Sequence, residues 1–127
     1  ASVGNVHAIA HTLGGLYGTA HGLANAVLLP IVLEDYGAAA YPRLARLAHL
    51  VGIQEASAEA SARAFIAEIR AMNARMGIPD HFDCIRSEDI PLMASWACRE
   101  ANPVYPVPVI YDQARFVRVI ERSRVKP

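Results

Sequence analysis

Most function classes need something this sequence has little of. Its 12 basic and 12 acidic side chains cancel, so the basic excess that marks nucleic-acid binders is missing, and no nucleic-acid partner is expected. The longest apolar run, Leu23 to Leu33, is interrupted by Asn25 and Pro30. It falls far short of the roughly 20 residues that span a bilayer, so no membrane partner is expected either. No secretory leader is visible at the N-terminus. There are only two cysteines, Cys84 and Cys98, and they form no CxxC pair. They read as buried free thiols in a reducing cytosol, which places the protein in the cytoplasm. Charged residues amount to 19% of the chain, below the roughly 25% of an average domain.

Apolar side chains fill the gap, at 54% of 127 residues. A chain of this length is expected to form a single domain over residues 1–127. The apolar excess points to surface hidden against another domain or subunit. The sequence opens on Ala1 and not on Met, as expected of a processed chain or a piece of a longer one.

Nearly every segment reads as helix. Val3 to Leu13 lacks a breaker beyond Gly4, and Gly14-Gly15 is expected to stop it, with a turn from Leu16 to Thr19. A second helix follows from about Ala20 to Tyr36, kinked at Pro30, where a backbone donor is lost. A third spans Tyr41 to Val51, with Leu44, Leu47, Ala48 and Val51 spaced for one buried face. Ser57 caps a fourth, which ends at Gly77-Ile78-Pro79 and buries Ala62, Phe65, Ile66, Ile69, Met72 or Asn73, and Met76. Ser87-Glu88-Asp89 opens a fifth, reaching Ala101. Pro103, Pro106 and Pro108 make Asn102 to Ile110 an extended arm. Asp112 caps a last helix to about Ser123, whose Arg115, Arg118, Arg122 and Arg124, with Lys126, complement its dipole. No strand–helix alternation and no repeat is present, so the expected fold is all-α, a bundle of five to six helices.

Chemistry concentrates at His7, His11 and His21, three of the five histidines within fifteen residues. Imidazole is the commonest protein ligand for transition metals. His7 and His11 lie one helical turn apart on one face. His21 follows a Gly-rich turn that can fold it back opposite them. A lone histidine is more often a satisfied interior side chain, but three in this spacing favour a site. Gly14-Gly15-Leu16-Tyr17-Gly18 is no phosphate loop, since it is not GxGxxG and follows a helix where a strand is required.

His7-Ala8-Ile9-Ala10-His11-Thr12-Leu13-Gly14-Gly15, followed by Ala20-His21-Gly22-Leu23-Ala24-Asn25-Ala26-Val27-Leu28-Leu29-Pro30, resembles the signature of the iron-containing (group III) alcohol dehydrogenases. Met76-Gly77-Ile78-Pro79, Glu88-Asp89-Ile90-Pro91 and Asn102-Pro103 agree with the C-terminal helical region of that family. The resemblance implies that His7 and His21 are metal ligands, for Fe²⁺ or Zn²⁺, and that His11 lies beside nicotinamide and substrate, serving proton transfer or cofactor placement. It implies NAD(P)-dependent alcohol oxidation, with the metal as Lewis acid. Family members also carry an N-terminal dinucleotide-binding domain and an Asp and a His, on earlier helices, that complete the metal shell. This sequence holds neither. Metal binding by the chain alone is therefore expected to be weak, with NAD(P) bound only when a nucleotide-binding half is supplied. The expected partners are that half or further copies of the chain in a homo-oligomer. The alternative is a free-standing, non-catalytic helical module that acts by self-association or weak metal binding.

Overall fold

The computed structural model describes residues 4–101 and 109–124. These form six α-helices and no strand: α1 (Gly4–Tyr17), α2 (His21–Tyr36), α3 (Tyr41–Leu50), α4 (Ala58–Arg75), α5 (Ile90–Ala101) and α6 (Gln113–Arg124). Short 3₁₀ turns, Gly37–Ala39 and Ser87–Asp89, lead into α3 and α5. The fold is the expected all-α one. Ser57 caps α4 by accepting the Ala60 N–H at 3.0 Å, and Asp112 caps α6 by accepting that of Arg115 at 2.8 Å. The proline-rich arm falls mostly on 102–108, outside the described residues. No single helix among the described residues is long and apolar enough to cross a membrane.

The core lies where α1, α2, α5 and α6 meet. Its fully buried side chains include Ile9 and Leu13 of α1, Val27, Leu28 and Val32 of α2, Met93 of α5, and Phe116 and Ile120 of α6. Asn5, itself fully buried, donates to the Tyr36 hydroxyl and to the Val109 carbonyl, both at 3.1 Å. α3 packs chiefly on α4, and Leu44, Ala62 and Ile66 extend the same core to that pair.

Four expectations are corrected. Gly14-Gly15 does not stop α1, which runs on to Tyr17. Gly18 stops it instead, because only there does the backbone enter the left-handed region (φ +66°), where glycine avoids the Cβ clash. Leu47, Val51, Met72 and Met76 are exposed, not core: α3 and α4 meet through Leu44, Ala45, Ala48, Ala62 and Ile66, and leave the flanking apolar positions outside. Cys84 is exposed and Cys98 only half-buried, both as free thiols. The arginines of α6 do more than complement a dipole. Arg115 Nε donates to Asp35 at 2.8 Å, Arg118 to the same carboxylate at 3.2 Å, and Arg122 to Glu34 at 2.9 Å, pinning α6 to the end of α2.

Pro30 lies inside α2, and the helix is continuous through it. Lacking an N–H, Pro30 leaves the carbonyl four residues earlier, that of Ala26, without its helical donor. Asn73 of α4 fills the vacancy: its Nδ2 donates to the Ala26 oxygen at 2.9 Å. Asn73→Ala should therefore destabilise the fold by about 1–2 kcal/mol, the usual effect of orphaning a part-buried carbonyl, as read by denaturant unfolding. Pro30→Ala combined with Asn73→Ala should recover part of that loss.

Asp35 gives the fold a dependence on pH. Burial alone would raise its pKa, but hydrogen bonds from Tyr111 and Arg115 and the charge of Arg115 outweigh this and hold it below the ordinary value. A carboxylate with a depressed folded-state pKa stabilises fully above its unfolded value, about 3.9, and that contribution is lost as pH falls through the folded value. Stability should therefore drop below about pH 4. Asp35→Asn should be less stable at neutral pH and show a flatter decline under acid in thermal unfolding.

Candidate functional site

The three histidines meet at one end of the α1–α2 pair. His7 and His11 stand one turn apart on α1, with ring centroids 4.3 Å apart. His21 is the first residue of α2, and its ring lies 4.8 Å from that of His7 and 5.7 Å from that of His11. Farther along α2, Asn25 and Leu29 join Val6 and His7 around a cavity of about 120 Å³. Rising numbers on α2 thus meet falling numbers on α1, so the two helices run antiparallel.

The connector explains how residue 21 reaches residue 7. From His11 to Tyr17 the helix advances about 9 Å. Gly18, Thr19 and an extended Ala20 (φ −60°, ψ 133°) can return about 10 Å alongside it. The reversal is fixed by the Gly18 N–H donating to Gly14 O at 3.1 Å and the Thr19 N–H to Leu13 O at 3.4 Å. Tyr17 anchors the reversal from the other side. Its hydroxyl donates to Asp89 at 2.7 Å and accepts the Arg86 N–H at 3.1 Å.

The environment keeps His7 neutral. Burial lowers its pKa, and the neighbouring His11 and His21 lower it further against a smaller opposing pull from Glu100. Neutral imidazole is the form that coordinates metal. Nitrogen donors of this kind suit Fe²⁺ and Zn²⁺, so the donor chemistry fits a divalent ion. Among the described residues, however, no group of three or more His, Cys, Asp or Glu side chains is arranged to hold one.

Two side chains at the site were not among the expected residues. Glu100, on the last turn of α5, accepts a hydrogen bond from His11 Nδ1. Only the packing of α5 on α1 brings it there, so nothing local in the sequence marks it. Asn25 Oδ1 is buried with no hydrogen-bond partner among the described residues. It follows His21 by one helical turn, a spacing that puts both on one face. His81, by contrast, has both ring nitrogens occupied, by Asp80 at 2.7 Å and Asp83 at 2.9 Å. These carboxylates raise its pKa against a smaller effect of burial.

A six-helix domain whose first hairpin gathers three imidazoles in one cleft defines the class. The chain belongs to the Fe-containing alcohol dehydrogenase family: the family's C-terminal region matches residues 1–123. It is 42% identical over 107 residues to the 1,3-propanediol dehydrogenase of Klebsiella pneumoniae, a match covering 80% of this chain and 27% of that enzyme. To the lactaldehyde reductase of Escherichia coli K12 it is 38% identical over 110 residues, covering 80% and 28%. A solved 1,3-propanediol oxidoreductase superposes with a TM-score of 0.86 at 33% identity, over 94% of this chain and 32% of its own. An alcohol dehydrogenase from Oenococcus oeni gives 0.82 at 30% identity, over 93% and 32%. The chain thus spans about a quarter to a third of the length of these relatives.

Two glycines of the hairpin should respond oppositely to alanine. At Gly18 the positive φ makes Ala cost about 1–2 kcal/mol and loosen the His7–His21 contact. Gly15 is helical, with nothing near a built Cβ, so Ala there should stabilise by about 0.5–1 kcal/mol. Unfolding midpoints of the two variants, with ring-to-ring nuclear Overhauser effects between His7 and His21, check both.

Proposed function

We propose that this chain is the metal-binding helical part of an NAD(P)-dependent alcohol dehydrogenase, with His7 and His21 as ligands of a divalent ion, Fe²⁺ or Zn²⁺. The observation that carries this reading is the convergence of the three imidazole rings within a chain of this family. When bound, the ion supplies Lewis-acid polarisation of the alcohol oxygen. His7 and His21 contribute neutral nitrogen donors from two helices, which the Gly18 reversal holds in place. His11, against both rings, is the group of this chain that would hold or take up the hydroxyl proton of a bound alcohol, and a bound nicotinamide would supply the hydride acceptor.

Two imidazoles leave at least two positions of a four-coordinate ion to other donors. The rest of the shell and the nicotinamide site come, in this proposal, from a nucleotide-binding half, and self-association into a homo-oligomer is the other use of the same surface. Both find support in an apolar trough of about 750 Å³ between α2, α3 and α4, floored by Leu29, Leu33 and Phe65 and rimmed by Leu47, Val51 and Met72. Apolar patches of this kind mark interaction surfaces.

Calorimetric titration of the 127-residue chain with Zn²⁺ tests the ligand assignment. Weak binding is expected, abolished in His7→Ala and in His21→Ala and unchanged in His49→Ala, whose imidazole is exposed near the end of α3. Binding that survives both losses would overturn the assignment, and tight stoichiometric binding would show a complete shell within this chain.

A further inference from the structure

We infer that Glu100 is a positioning residue for His11. It fixes the ring in the tautomer that carries hydrogen on Nδ1 and leaves the lone pair on Nε2. The inference extends the reading of His11 given above, and rests on it for its functional meaning. The geometry it uses is independent of any metal.

His11 Nδ1 and Glu100 Oε1 are hydrogen-bonded across the α1–α5 contact. An ionised carboxylate can only accept, so the hydrogen of this bond sits on Nδ1 whether the imidazole is neutral or protonated. A histidine free in water prefers the other tautomer, with hydrogen on Nε2. Glu100 therefore inverts the default, as carboxylates do for ligand and catalytic histidines elsewhere. The bond also holds the ring against rotation about its Cβ–Cγ axis, since a flip would place a carbon in front of the carboxylate. Nε2 becomes the proton-accepting nitrogen, on a ring packed against His7 and His21. Glu100 is 31% exposed and His11 47%. The pair is thus too wet to hold the fold together, and its effect is orientation. Glu100 acts on the site through His11, its hydrogen-bonded partner.

The experiment is a long-range ¹H–¹⁵N correlation spectrum of the metal-free, ¹⁵N-labelled chain, recorded above the titration range of its five histidines. His11 is assigned by comparison with His11→Gln. In the wild type His11 should show the Nδ1–H pattern. Glu100→Ala should shift the population to Nε2–H, and Glu100→Gln, whose amide oxygen still accepts, should restore Nδ1–H. An Nε2–H pattern in the wild type, or an unchanged pattern in Glu100→Ala, overturns the proposal. Circular dichroism of each variant shows that helix content is retained. If Glu100→Ala nonetheless unfolds, the wild-type and Glu100→Gln spectra decide alone. Because no metal is present, the outcome is separate from the Zn²⁺ titration: the tautomer can follow Glu100 even if His7 and His21 bind nothing, and the converse also holds.

Discussion

Everything at the histidine cleft depends on one left-handed residue. Gly18 ends α1 six residues beyond the last of its two histidines, and the three-residue return places His21 level with both. A helix that stopped at the first glycine pair would be a turn shorter, and the same connector would carry His21 about a turn farther along α1, away from His11. Length of helix and length of connector are matched, and Gly18 sets both. Tyr17, held between Asp89 and the Arg86 amide, makes the match rigid by tying the reversal to the segment that starts α5. That same helix delivers Glu100 to His11, eleven residues after Asp89, so both ends of α5 serve the cleft.

A different face of α1, with the C-terminal end of α2, is held by polar groups. Asn5 satisfies Tyr36 and the backbone of Val109 in the interior, and Asp35 gathers two arginines of α6. The helix pair therefore has a buried, polar-bonded face and a partly open face lined by imidazoles. The outer pair, α3 and α4, adds an apolar trough on the flank.

Much of this was legible in the sequence. Helical period, caps at Ser57 and Asp112, and proline placement gave six helices with ends correct to a few residues. The His-x-x-x-His spacing and the glycine-rich turn identified the cleft. The errors have a common cause. Gly14 and Gly15 carry the propensity of a helix end, but tertiary packing of α1 on α5 offsets the modest helical penalty of glycine, and only dihedral angles reveal that Gly18 is the true stop. Periodicity placed Leu47, Val51, Met72 and Met76 in the core because it reports which residues share a face, not what covers that face. Glu100 was invisible for a related reason: its meaning comes from a neighbour 89 positions away. The α6 arginines likewise found acidic partners on α2 that no local pattern announces.

The pairing of Pro30 with Asn73 also constrains history. A proline at position 30 is easier to carry while an amide from α4 reaches the Ala26 carbonyl, so an asparagine already at 73 favours its arrival by about 1–2 kcal/mol. Once proline is there, Asn73 is no longer free to drift. In the reverse direction, a residue at 30 that regains its N–H releases position 73 from that cost. Positions 30 and 73, 43 residues apart in the chain, are thus coupled through a third residue, Ala26, whose carbonyl Asn73 meets at 2.9 Å, and a change at either one alters what the other can accept.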